Sequence, residues 1–158
     1  MVSWGEFELL VPDLAAAGRR LVYQIPIGLA FLATVRPDGG PRVHPVCPVI
    51  GSGGLYVLVV AGPKQRDLDR DGRYALHSET VPPPHEDDGF YVTGSTRAVL
   101  DATEELAVRT QVTAERRGVT WPSFLEDRLF ELTIDRCLLV LTVPEGRFPK
   151  GQTIWKAP

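Results

Sequence analysis

The sequence predicts a mainly β chain, folded as an antiparallel β-barrel of about six strands with helices outside it. Short apolar segments of strand length recur at close spacing, and Gly- and Pro-rich turns separate them. The helix-like segments are inserted late and singly, without the regular strand–helix alternation of a doubly wound parallel sheet. With 158 residues and an ordinary apolar fraction, residues 1–158 can form one domain with a substantial core.

Each element has its own signal. From Asp13 to Tyr23, Leu14, Leu21 and Val22 fall on one helical stripe with Ala17 and Gly18, and Pro12 with Asp13 suits a helix start. Residues 28–35 (GLAFLATV) form a β run, closed by Arg36-Pro37-Asp38-Gly39-Gly40, whose Asp-Gly pair is a hairpin signal. A second strand is expected from Pro41 to Ile50 and a turn at Gly51-Ser52-Gly53-Gly54. The third strand, 55–61 (LYVLVVA), is apolar enough to be covered on both sides. Gly62-Pro63 ends it, and KQRDLDRD at 64–71 reads as a short helix with Pro63 at its first position and Gly72 beyond its end.

Tyr74 to Ser78 is a short strand, TVPPPHEDD a loop and FYVTGSTRAVL at 90–100 the next strand. Asp101 with Glu104 resembles a capping box for a helix ending near Arg116, Arg117 and Gly118, and Ser123 with Glu126 resembles one for a shorter helix. The last β region sets Phe130, Leu132 and Ile134 on one face and Glu131, Thr133 and Asp135 on the other, then runs on through CLLVLTV. Its double length predicts a bend or bulge near Asp135-Arg136.

Composition narrows the function classes. No apolar run approaches the roughly 20 residues of a membrane-crossing helix, and MVSWGEFELL lacks the basic start of a signal peptide, so the expectation is a soluble, cytoplasmic chain. A net charge of -3 argues against nucleic acid as a constitutive partner. Cys47 and Cys137 sit in apolar β segments and imply no disulfide framework. His44 and Cys47 are three apart and would face opposite sides of one strand, so no metal site is expected. Gly51-Ser52-Gly53-Gly54 lies between strands without the helix or Lys-Ser/Thr of a phosphate loop, and no G-x-S-x-G turn is present.

The helix at 64–71 breaks a local rule. Helix N-termini prefer acids in the first turn, yet this one opens with Lys64 and Arg66 before Asp67. Two readings follow: a bound anion held by the free N–H groups, Lys64 and Arg66, or a solvated basic turn balanced by Asp67, Asp69 and Asp71.

An A-T-x-x-x-D-G hairpin, a P-R-V-x-P-V second strand, a K-x-R-x-L segment after the third strand and a short strand after R-D-G-R occur in this order. Together they resemble the pyridoxamine 5'-phosphate oxidase-like FMN-binding split-barrel family over residues 28–100, and more loosely over 129–158. The resemblance implies a six-stranded split barrel and a homodimer with FMN at the subunit interface. The cofactor phosphate would meet Arg42 and Lys64 with Arg66 in support, and the ring would lie along Val43, His44, Val59, Val60 and Ala61. Trp155 would either reach a neighbouring subunit's flavin or pin the tail. The terminal Trp155-Lys156-Ala157-Pro158 departs from the R-L-x-P ending of true pyridoxamine phosphate oxidases, so oxidation of vitamin B6 is not implied.

The activity so implied is an FMN-dependent oxidoreductase moving hydride or electrons through flavin N5 to or from a small molecule, with no catalytic acid or base named. Use of the deazaflavin F420 and non-catalytic binding of flavin or haem are the alternatives.

Overall fold

A computed structural model describes residues 1–80, 88–142 and 151–158. Most of the expected loop TVPPPHEDD and the far end of the last β region at Val143 lie outside the described residues.

Two short helices come first. Ser3 caps α1 (Trp4–Leu10) through a reciprocal capping box with Glu6, a pattern legible as S-x-x-E but not read from the sequence. α2 (Pro12–Val22) follows at once, with Pro12 at its start as expected. Then come β1 (Ala30–Val35), β2 (Pro41–Val46), β3 (Val49–Gly51), β4 (Gly54–Val59), α3 (Pro63–Arg70), β5 (Arg73–Ser78), β6 (Gly89–Ala98), α4 (Ala102–Glu115), β7 (Arg128–Leu141) and β8 (Gly151–Lys156).

The strands form one antiparallel sheet in the order β2-β1-β5-β6-β7-β4-β3, with β8 added to β7. The described strands number eight where six were expected, and two causes account for this. The expected second strand breaks at Cys47-Pro48, because proline donates no ladder hydrogen bond and restricts the residue before it. β2 thus pairs with β1 and β3 with β4, so the two ends of the sheet are neighbouring pieces of one chain segment. That break is the split of the barrel. The C-terminal TIWKAP region supplies the other added strand, pairing Trp155 with Cys137.

β7 holds both halves together. Its first part pairs with β4, its last part pairs with β8, and Asp135 is the extra residue where the β6–β7 register shifts between Thr93 and Gly94. The bulge expected near Asp135-Arg136 is therefore present. The expected helix after Ser123 is instead a run of turns, in which the N–H groups of Glu126 and Asp127 both donate to the Ser123 carbonyl.

Alternation along β4 creates two cores. Leu55, Val57 and Val59 enter the barrel interior with Trp4, Phe7 and Phe90. Tyr56 faces outward with Val49, Val108, Val112 and Leu129, where α4 covers the sheet, and Leu58 packs against that group. This is the two-sided burial that the apolar run predicts. Glu131, expected on the face opposite Phe130, Leu132 and Ile134, is buried there and pairs with Arg97. No described helix is long and apolar enough to cross a membrane.

Candidate functional site

The junction of β4 and α3 is built by Gly62 and Pro63. Pro63 has the preset φ suited to a first helical turn, while Gly62 at the N-cap offers no side-chain acceptor. The first turn holds no acid, so its N–H groups lack the usual negative partner. Lys64 follows Pro63 and lines a cleft of about 320 Å³. Val46, Leu58, Val112 and Leu129 make the cleft apolar, and Cys47 from the end of β2 and Val60 beyond β4 stand at its side. Of the residues that the family resemblance names, Val60 and Lys64 line this cleft, whereas Arg42, Val43, His44, Val59, Ala61, Arg66 and Trp155 do not.

The electrostatics of Lys64 follow from where its neighbouring acids go. Asp67 is buried and accepts from Arg42 Nε at 2.7 Å, Thr34 Oγ1 at 3.1 Å and Arg70 Nη1 at 3.3 Å. Asp69 pairs with Arg128 at 3.3 Å, and Asp71 pairs with Arg73 at 2.7 Å. None of the three balances the basic start of α3. Among the described residues, no ion pair includes Lys64, Arg66 or Arg116. Burial pushes the half-buried Lys64 ammonium below the ordinary lysine range, and nearby Asp127 and Cys47 offset that only in part.

The remaining sequence-named residues fall in several places. Arg42 is turned onto Asp67, away from open solvent on one side. Arg66 is exposed. Val43 and Val60 are 59% and 54% exposed, and His44 and Ala61 are also exposed, a high apolar exposure for strand ends. Val59 has its side chain in the barrel core, leaving its main chain as the contact the resemblance assigns. Trp155 lies elsewhere: its ring packs edge-on against Phe7 with centroids 4.9 Å apart, so within the chain it pins β8 to α1. No group of three or more His, Cys, Asp or Glu among the described residues gathers to hold a metal ion.

Sequence reasoning missed one wall of the cleft. Trp121 donates its indole N–H to Asp127 Oδ2, and the Arg116 guanidinium lies over the Trp121 ring, 4.9 Å from its centroid. Buried Arg109 fixes this wall by donating to the Phe124 carbonyl and, at 2.7 Å, to the Asp127 carbonyl. Asp127 is 2% exposed, and its Oδ1 has no hydrogen-bond partner among the described residues. The Arg116-Arg117 pair was visible as a charge cluster, but its approach to β4 depends on tertiary packing of α4.

No protein-family model matches the sequence, and no curated protein is recognisably similar to it. Solved structures are similar in fold. HutZ, the heme storage protein from Vibrio cholerae, aligns with 80% of this chain and 90% of its own, at 18% identity and a TM-score of 0.59. A heme binding protein from Mycobacterium smegmatis aligns with 89% of this chain at 17% identity and a TM-score of 0.64, over 57% of its own length. A protein of the pyridoxinephosphate oxidase family from Clostridium acetobutylicum, related to general stress protein 26, aligns over 92% and 94% of the two chains at 14% identity and a TM-score of 0.61. The fold is the split barrel of pyridoxamine 5'-phosphate oxidase-like proteins, the class that the sequence resembles.

Proposed function

We propose that the chain is an FMN-binding flavoprotein, an oxidoreductase whose cofactor phosphate sits at Lys64 and the start of α3. The observation that carries this reading is a half-buried ammonium, without an ion-pair partner among the described residues, beside a helix start with no side-chain cap, at the point where the barrel splits. A phosphate would accept from the first-turn N–H groups and from Lys64, with Arg66 two residues further on, on the exposed side. Arg42 spends its Nε–H on Asp67 and keeps further N–H donors for an anion. Val43, His44, Val60 and Ala61 would lie under the ring and against a second subunit, which would cover their exposed surface.

Bound flavin supplies the electron chemistry, so the chain's own residues need only hold, orient and shield it. The deazaflavin F420 would use the same phosphate contact. Haem is the second reading, favoured by the two heme proteins of the same fold and by an exposed His44 available as an iron ligand. An absorption spectrum of the protein with each added cofactor separates these, because haem alone gives a Soret band.

Lys64→Ala tests the phosphate contact directly. Loss of a charge-assisted hydrogen bond weakens FMN binding by roughly tenfold to a hundredfold. Riboflavin has the ring without the phosphate, and its affinity should change little. Equal affinities of parent and variant for FMN would remove Lys64 from the site. A matched loss for both ligands would point to damage to the fold, which thermal stability of the unliganded variant would reveal.

A further inference from the structure

The cleft has a second cation without an ion-pair partner among the described residues, and the flavin-phosphate reading does not use it. Arg116 stands at the C-cap of α4, half-buried, with its guanidinium stacked on Trp121 and no side-chain hydrogen bond among the described residues. Stacking occupies the face of a guanidinium and leaves its edge, where five N–H donors lie, free for oxygen acceptors. The helix C-terminus beside it is already favourable for a cation, so the charge is stable there without a carboxylate partner.

Between the two cations stands Asp127. Lys64 feels it electrostatically, while Trp121 anchors its Oδ2 and Arg109 anchors its carbonyl. A carboxylate fixed in that position repels any ligand that carries negative charge at its middle. Lys64, Asp127, Trp121 and Arg116 are linked in that order by neighbouring contacts and line the same cleft as the apolar Val46, Leu58 and Val112, so a carboxylate lies between two cations.

We propose that this cleft takes an elongated small molecule with an electron-rich group at each end of an apolar body: a phosphate at Lys64 and a second oxyanion or carbonyl oxygen at Arg116. Arg116 is then a specificity-determining residue, and Trp121 positions it. The phosphate end rests on the function proposed above, whereas the Arg116 contact does not depend on which cofactor that phosphate belongs to.

The probes are ω-phosphonoalkanoates of increasing chain length, each matched with the alkylphosphonate that lacks the terminal carboxylate. Affinity is measured by quenching of tryptophan fluorescence and by thermal shift of the full chain. One length should bind the parent about tenfold more tightly than its matched alkylphosphonate, because it gains a charge-assisted contact. Arg116→Gln should abolish that gain and leave the alkylphosphonate unchanged, and Arg116→Lys should restore part of it. Lys64→Gln should weaken both compounds. A parent that binds both series equally at every length, or an Arg116→Gln variant that keeps the gain, would overturn the proposal. Failure of FMN to bind a parent that does show the carboxylate gain would sink the flavin reading alone.

Discussion

Asp67 explains why the basic start of α3 stays unbalanced. It is the acid nearest in sequence to Lys64 and Arg66, yet it points into the fold, toward Thr34 of β1 and Arg42 of β2. Burial alone would raise its carboxyl, but the hydrogen bonds from Arg42, Thr34 and Arg70 outweigh that and hold it below the usual range. The unfolded chain then binds the proton more readily. Stability from Asp67 is present above about pH 4, its unfolded value, and is lost as pH falls through the lower folded value. Asp67→Asn should cost about 1 to 3 kcal/mol at neutral pH, less than a sealed pair, because Arg42 and Arg70 are partly in water. Chemical denaturation across the acid range should show a shallower pH slope in the variant, and an unchanged slope would assign that linkage to other carboxyls. Lys64 tilts stability in the same pH direction, in its case by relief of a penalty. Its charged form is disfavoured by burial, a cost that eases as pH rises through its lowered folded value, so FMN binding should weaken over the same alkaline window.

The bulge at Asp135 decides how far β7 can serve two partners. Without the extra residue, one half of its apolar set would turn outward, since a one-residue slip in a strand exchanges its faces. Gly94 sits opposite, and a Cβ there would collide with the Thr133 carbonyl of the bulged strand. Gly94→Ala should therefore destabilise the protein by about 1 to 3 kcal/mol, read from the denaturation midpoint, whereas no loss would mean that the backbone relaxes freely. This element was legible because a β pattern of double length has few ways to stay flat. The Asp38-Gly39 hairpin, α3 and most of α4 were legible for similar local reasons: turn chemistry, Pro63 and the Asp101 cap all act within a few residues. β3 was hidden by continuous apolar sequence across Cys47-Pro48, although Pro48 was a signal for the break. At the candidate site, Lys64 could be found because it breaks a local preference. Trp121, Asp127 and Arg116 could not, because residues 58 and 112 face one another only after α4 has packed on β4.

At the scale of the molecule, the barrel leaves its split edge apolar and open. β2 ends the sheet, and Val43 within it is largely exposed, as is Val60 after β4. A second copy related by two-fold symmetry would cover both and create two equivalent cofactor sites. Light scattering should give twice the chain mass, and a monomer that still binds flavin tightly would contradict that arrangement. The central claim is that this split barrel recognises a flavin by its phosphate. Parallel titrations of the purified parent with FMN and with riboflavin, followed by flavin absorbance and tryptophan quenching at one salt concentration, test it most directly. The account predicts saturation at one FMN per chain, with FMN binding roughly tenfold to a hundredfold tighter than riboflavin. Equal affinities for the two flavins, or no flavin binding beside a Soret band on addition of haem, would contradict it.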